Sequence, residues 1–270
     1  MAKIDFYKFH GTGNDFICID CRESNITLSR PRIKQLCHRR FGVGADGLIL
    51  LQKEKDYDFK MKYYNADGKE SSMCGNGGRC IVLFAAMRGI VKKQYIFTAA
   101  DGVHEAHLHD DEVVDLKMKD VEAIDKRADG WFINTGSPHH MAYAIDLEKI
   151  DLIKEAWNIR YSDEYRSEGV NVNFIYTNDK EKGLTLRTYE RGVENETMSC
   201  GTGVTAAALV SYEAGKIKNT EVDVNTPGGQ LQVRFSPLGA GKGYTDIWLS
   251  GPATFVYHGC VDCEEPVIFD

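Results

Sequence analysis

Cys74-Gly75-Asn76-Gly77 returns 126 residues later as Cys200-Gly201-Thr202-Gly203. Each copy leads into a stretch rich in alanine and other apolar residues, 80–87 and 205–213, and a glycine stands 15 positions after each cysteine, Gly89 and Gly215. Such stretches read as helices, with the glycines as C-terminal caps where the chain must turn left-handed. Related offsets join further segments. Thr12-Gly13-Asn14 echoes Thr135-Gly136-Ser137 at 123, and Gly42-Val43-Gly44-Ala45-Asp46-Gly47 with 48–51 resembles Gly169-Val170-Asn171-Val172-Asn173 with 174–176 at 127. Self-similarity on this scale marks an internal repeat. It predicts two lobes of similar fold, each with strands around one central helix.

Composition agrees with a globular chain. Of 270 residues 43% are apolar, 27% charged and 10% aromatic, which excludes disorder and low complexity and allows about two domains. The net charge of −7 without a basic block argues against nucleic acid and anionic membrane as partners. A small molecule or another protein is expected instead. The longest apolar runs, such as 81–87, fall short of the roughly 18 residues that cross a bilayer. Met1-Ala2-Lys3-Ile4-Asp5 has no signal-peptide core, and eight cysteines then fit a reducing cytoplasm as free thiols, metal ligands or catalytic groups.

Strand signals recur at 16–19, 48–51, 60–64, 113–118, 185–189, 231–235 and 246–249, whereas helix-like segments are few, with one more at 33–40. The expected fold is mixed α and β with mainly antiparallel sheet. Polar residues 120–130 suit a junction between the lobes.

Three motifs carry less than their patterns suggest. Gly42 to Gly47 satisfies G-x-G-x-x-G, but a helix-like segment precedes it and a strand-like run follows, the reverse of a dinucleotide site. Cys18/Cys21 and Cys260/Cys263 have the count of a four-thiolate zinc site. Cys18, however, lies in an apparent strand, where positions i and i+3 face opposite ways, so packed or incidental cysteines are expected. The eight histidines show no H-E-x-x-H spacing, and His38, His104, His107 and His109 are expected in solvent. Neither a G-x-S-x-G elbow nor a phosphate-binding G-x-x-x-x-G-K-[ST] occurs.

The paired cysteines are chemically pointed. A cysteine at a helix start feels the positive end of the macrodipole, which favours its thiolate. An ordinary thiol of pKa about 8.5 is roughly 3% ionised at pH 7, and a shift to about 7 would make it half ionised, suited to general-base work. The adjacent glycines let backbone N–H groups approach a carboxylate. Two such thiols flanking one carbon acid could remove a proton from one face and return one to the other, with the pair titrating as a unit.

His10-Gly11-Thr12-Gly13-Asn14-Asp15-Phe16, Tyr64-Asn65-Ala66-Asp67-Gly68, Cys74-Gly75-Asn76-Gly77-Gly78-Arg79-Cys80 and Glu190-Arg191-Gly192 through Cys200-Gly201-Thr202-Gly203 together resemble the diaminopimelate epimerase family. The resemblance runs through essentially the whole chain. It implies two α/β lobes, residues 1–121 plus 252–270 carrying Cys74 and residues 122–251 carrying Cys200, with the active site in the cleft between them. It further implies a small diamino dicarboxylate substrate, no pyridoxal phosphate or other cofactor, no metal, and a homodimer with Tyr257 at its contact. By the same resemblance Cys74 is the proton donor and Cys200 the acceptor, while His139 and Glu190 adjust the thiol acidities. Asn14, Asn65, Asn171, Glu190 and Arg191 are implied to hold substrate, with Gly75-Asn76 and Gly201-Thr202 as anion cradles. Arg191 offers a bidentate carboxylate partner.

The chain departs from the family's commonest pattern in three places. Ser137 stands where a substrate-contacting asparagine is frequent before Pro-His and Gly47 where some members have glutamine, both positions being implied substrate contacts, and one extra residue separates Glu190 from Cys200. The implied activity is interconversion of LL- and meso-diaminopimelate, in lysine and cell-wall precursor synthesis. A proline or hydroxyproline racemase of the same fold is the near alternative, although those relatives typically carry Cys-Gly-His-Gly where this chain has Asn76. A thiol redox or zinc-binding module is the alternative of another class.

Overall fold

The computed structural model describes residues 3–24, 26–177, 183–239 and 241–262. These form two compact units that divide between Leu116 and Lys117 and again between Gly251 and Pro252. In the first, Thr254–Asp262 pairs antiparallel with Lys3–Gly11, which pairs antiparallel with Asn14–Asp20. That strand runs parallel to Gly47–Gln52, which is antiparallel to Phe59–Asn65. Phe59–Asn65 is parallel to Gln94–Ala99, and two antiparallel steps through Gly102–Leu108 reach Val113–Lys117.

The second unit repeats that order step for step. Ile124–Lys126, Trp131–Asn134, Pro138–Tyr143, Asn171–Thr177, Gly183–Glu190, Glu221–Thr226, Gly229–Pro237 and Tyr244–Pro252 follow the same succession of antiparallel and parallel pairings. Parallel neighbours need a crossover, which here carries a helix. Helix α1 (Arg30–Cys37) lies in the first crossover of its unit and α2 (Gly75–Met87) in the second; α3 (Leu152–Arg160) and α4 (Gly201–Glu213) take the same two places in the other unit. The repeat and the mixed, mainly antiparallel class expected from the sequence are both present.

Helices α2 and α4 are apolar around most of their circumference, as a helix surrounded by protein must be. Residues 75–85 of α2 are all buried, and the helix packs on Lys3–Gly11, Asn14–Asp20, Gly47–Gln52, Phe59–Asn65 and Gly102–Leu108. Helix α4 packs on the corresponding strands of the second unit. Gly89 and Gly215 follow these helices with φ of 93° and 67°, the left-handed residues the caps require.

Several expectations are corrected. Gly47 and Asn171, each opening its strand beside the preceding parallel partner, are equivalent at an offset of 124, not 127. The sequence match had aligned the turn glycines rather than the strand starts. Helix α1 starts at Arg30 and ends at Cys37, because the Ser29 hydroxyl caps Arg32 N–H and Pro31 sits in the first turn, so 33–40 was shifted toward the C-terminus. Within 120–130 lies the strand Ile124–Lys126, paired with Trp131–Asn134, and α3 was unforeseen. His104 is buried, its Nε2 3.2 Å from Asp101 Oδ1, rather than solvated. Among the described residues no helix is long and apolar enough to cross a membrane.

Gly47 shows why one strand must begin with glycine: a Cβ there would lie 2.5 Å from the Tyr63 ring and 2.7 Å from the Tyr64 carbonyl oxygen. Gly47→Ala is therefore expected to cost about 2 kcal/mol or more through overpacking. Gly89→Ala, whose Cβ meets nothing within 4 Å, should cost only its left-handed backbone, about 1 kcal/mol. Urea midpoints at unchanged m-value test this; equal losses would mean that close approach is not what Gly47 provides.

Candidate active site

Cys74 is the N-cap of α2 with an extended backbone (φ −97°, ψ 133°), and Cys200 is the N-cap of α4 in the same conformation (φ −120°, ψ 109°). Neither side chain caps its own helix. The ladders begin with Gly78 N–H to Cys74 O at 2.7 Å and Val204 N–H to Cys200 O at 2.9 Å. The N–H groups of 75–77 and 201–203 thus precede the ladder and form the first-turn donors that suit an anion. The repeated motif places both thiols at equivalent points of equivalent helices.

In the first unit the surroundings of Cys74 are built from the hairpin Lys3–Gly11 and Asn14–Asp20. Cys74 Sγ lies 3.6 Å from Asn14 Oδ1, which also accepts from Asn76 Nδ2 at 3.2 Å. Asn14 Nδ2 donates to Asp46 Oδ2 at 2.8 Å, so its amide has one orientation. The backbone N–H of Asp15 donates to Asp46 Oδ2 and that of Asp46 to Asp15 Oδ1, the two carboxylates share Arg39, and Lys8 pairs with Asp15 at 2.7 Å. Burial alone would raise the Asp15 carboxyl, but bonds from Arg39 and Lys8 hold it well below the usual range. The fully buried Arg79 donates to Asn76 Oδ1 at 3.0 Å, Thr12 Oγ1 at 3.3 Å and Gly75 O at 3.3 Å, bracing the start of α2.

In the second unit Thr202 Oγ1 lies 3.4 Å from Cys200 Sγ and 2.9 Å from His139 Nε2. His139 is fully buried, and burial with the nearby Arg191 charge pushes its pKa down to about 3. Asn173 Nδ2 lies 3.0 Å from the other ring nitrogen. Asn171 is also buried; it donates to Ser137 Oγ at 2.8 Å and Pro138 O at 2.9 Å and accepts from Arg191 N–H at 2.9 Å. Asn171 thereby positions two other candidate residues. Arg191 is exposed and donates to Glu168 O. The segment after it is pinned by Glu194, in the left-handed region at φ 55°, which accepts from Arg160, Tyr161, Tyr189 and Gly192 N–H at 3.1 to 3.2 Å.

The remaining candidates divide. Half-buried Glu190 ends its strand and exposed Asn65 ends another, opposite Gly47. Tyr257 lies on Thr254–Asp262, opposite Lys8, its ring edge-on to Phe6. Cys18 and Cys21 are buried thiols, burial pushing Cys21 to about 11 and Cys18 well above its ordinary value, while Cys260 is exposed and Cys263 lies outside the described residues. Sequence reasoning passed over Asp46, Arg79, Asn173 and Thr188. Arg79 could have been noticed as a lone cation inside an apolar helix, and Asn173 as sharing a strand face with Asn171 by the period of two.

The sequence profile of the family described as diaminopimelate epimerase matches residues 6–124 and 131–255. A protein of that name from Flavobacterium psychrophilum is 46% identical over 256 residues, spanning 93% of this chain and 97% of its own. Another from Chlorobaculum tepidum is 43% identical over 261 residues, spanning 93% and 98%. Among solved structures, a Bacillus anthracis phenazine biosynthesis protein of the PhzF family superposes with a TM-score of 0.73 at 14% identity, covering 97% of this chain and 99% of that one. A hydroxyproline epimerase from Agrobacterium vitis does so at 0.68 and 15%, covering 97% and 91%. Those two likenesses are of fold, whereas profile and sequence identity extend through both cysteine motifs: the chain belongs to the diaminopimelate epimerase family.

Proposed function

We propose that the protein is an isomerase that interconverts LL- and meso-diaminopimelate by moving protons between one α-carbon and two thiols. The observation that carries this is the equivalent placement of Cys74 and Cys200, each at the N-terminus of the buried central helix of its unit. In one direction the Cys200 thiolate takes the α-proton. The C–H bond breaks, an S–H bond forms, and the electron pair is delocalised into the neighbouring carboxylate. The Cys74 thiol then delivers its proton to the opposite face, leaving a thiolate; in the reverse direction the roles exchange. No organic cofactor or metal enters the proposed chemistry.

First-turn N–H groups of Gly75-Asn76 and Gly201-Thr202 hold the reacting carboxylate and stabilise the charge that builds on it. Arg191 and Asn65 engage the distal amino acid end, with Asn14 and Asn171 as further contacts and Ser137 beside them. Gly47 contributes backbone only, because no side chain fits there. Glu190 and His139 act on the thiol acidities. The setting we propose is the cytoplasm, in lysine and cell-wall precursor synthesis. We further propose a homodimer through Thr254–Asp262, supported by exposed Phe255, Val256 and Tyr257 on that strand and by exposed Phe41.

Purified reduced protein, without added cofactor, should convert LL- to meso-diaminopimelate, and Cys74→Ser and Cys200→Ser should each lose at least a hundredfold in turnover. Conversion of proline but not of diaminopimelate would overturn the proposal. Arg191→Lys is expected to raise KM for diaminopimelate by about tenfold or more while kcat changes less, since a point charge replaces a bidentate fork. Sedimentation should show a dimer for the parent and a weaker one for Tyr257→Asp; a monomeric parent contradicts the assembly.

A further inference from the structure

We infer that Asn173 is a positioning residue: it holds the His139 ring in the Nε2–H form, which turns the Thr202 hydroxyl to donate toward the sulfur of Cys200. The orientation of the Asn173 amide follows from its partners. Its Nδ2 faces two carbonyl oxygens, Asn171 O at 3.1 Å and His140 O at 3.2 Å, and its Oδ1 accepts from Thr188 Oγ1 at 2.9 Å. Two carbonyls accept only from an N–H, so the nitrogen must sit where it does. The same nitrogen lies 3.0 Å from His139 Nδ1, its two hydrogens shared among these three acceptors; a proton on Nδ1 would face a nitrogen with no lone pair to accept it, so Nδ1 is the acceptor and the ring proton resides on Nε2. That N–H donates to Thr202 Oγ1 at 2.9 Å and occupies its acceptor side, leaving the hydroxyl hydrogen for the sulfur at 3.4 Å. Each donor hands the next group its direction.

The first unit shows what this position looks like without the relay. Ile49 is the third residue of Gly47–Gln52, as Asn173 is of Asn171–Thr177, and it lies opposite Tyr63 where Asn173 lies opposite Thr188. In both units the second glycine of the cysteine motif rests on this residue. A Cβ on Gly77 would lie 3.3 Å from the Ile49 side chain, and one on Gly203 would lie 2.7 Å from Asn173 Oδ1. An apolar support in one copy is thus a polar relay in the other. The sulfurs accordingly meet partners of opposite polarity: Cys74 meets the Asn14 carbonyl oxygen, which accepts from a thiol, and Cys200 meets a hydroxyl able to donate to a thiolate. Arg191 is the charged side chain that bears on His139, and it favours the neutral ring.

The inference rests on the proposed epimerase reading for what Cys200 does, but its test does not need turnover. In protein with ¹⁵N-labelled histidine rings, the His139 signal, assigned through His139→Gln, should show Nε2–H and unprotonated Nδ1 and remain neutral at pH 5. In a Cys74→Ser background, alkylation of Cys200 by iodoacetamide at pH 7 should slow about tenfold with Asn173→Leu or Thr202→Val, and Thr202→Ser should restore it. Combining Asn173→Leu with Thr202→Val should slow it no further than either alone. An Nδ1–H tautomer in the parent, or unchanged alkylation in a folded Asn173→Leu variant, overturns the inference. Should Asn173→Leu not fold, the parent tautomer and the Thr202 variants decide. Failure of the epimerase reading would appear in the product assay and leave these results standing.

Discussion

The structure depends on two helices that have protein on every side. A helix buried around its circumference must be apolar nearly throughout, and its ends are where unpaired backbone groups remain. In α2 and α4 the C-terminal end is closed by a left-handed glycine, and the N-terminal end is left to a cysteine whose side chain does not cap it. Backbone donors, the positive end of the dipole and a nucleophilic sulfur are thereby gathered at one point in each unit. Such a point favours anions and developing negative charge. The strands that wrap each helix set where that point lies.

The internal repeat supplies two such points, and their surroundings differ. The pairing order of the strands is the same in both units, yet the residues beneath the helix starts are not. Around Cys74 an ionic cluster of Lys8, Asp15, Arg39 and Asp46 orients Asn14, and Arg79 braces the first turn. Around Cys200 the support is a chain of neutral hydrogen bonds through Thr188, Asn173, His139 and Thr202. A proton transfer between two faces of one carbon requires one thiol and one thiolate at a time, so unlike surroundings for like sulfurs are chemically apt.

What could be read from the sequence was what repeats or what is local. The cysteine motifs, their apolar helices and the capping glycines repeat, and the strand runs follow from short patterns of apolar and β-branched residues. The alternation of parallel and antiparallel neighbours was hidden because strand pairing joins residues far apart in the chain. Helix α3 was missed although Asp151 caps it, since only Leu152 and Ala156 are fully buried and its apolar stripe is narrow. The 127 offset misled because turn glycines resemble each other more strongly than the strands they precede. Asn173 escaped notice because its importance lies in partners on two other elements, Thr188 and His139.

The central claim, one carbon served by two separate acids, is tested most directly by early-time isotope partition in deuterated water. LL-diaminopimelate is incubated with enzyme for a small fraction of one conversion, and α-deuterium is measured separately in product and in recovered substrate. Two thiols predict a meso product that carries solvent deuterium while recovered LL-diaminopimelate stays largely protiated, because the abstracting thiol returns its own proton. Product retaining the substrate's proton, as a single base that serves both faces would give, would contradict the account.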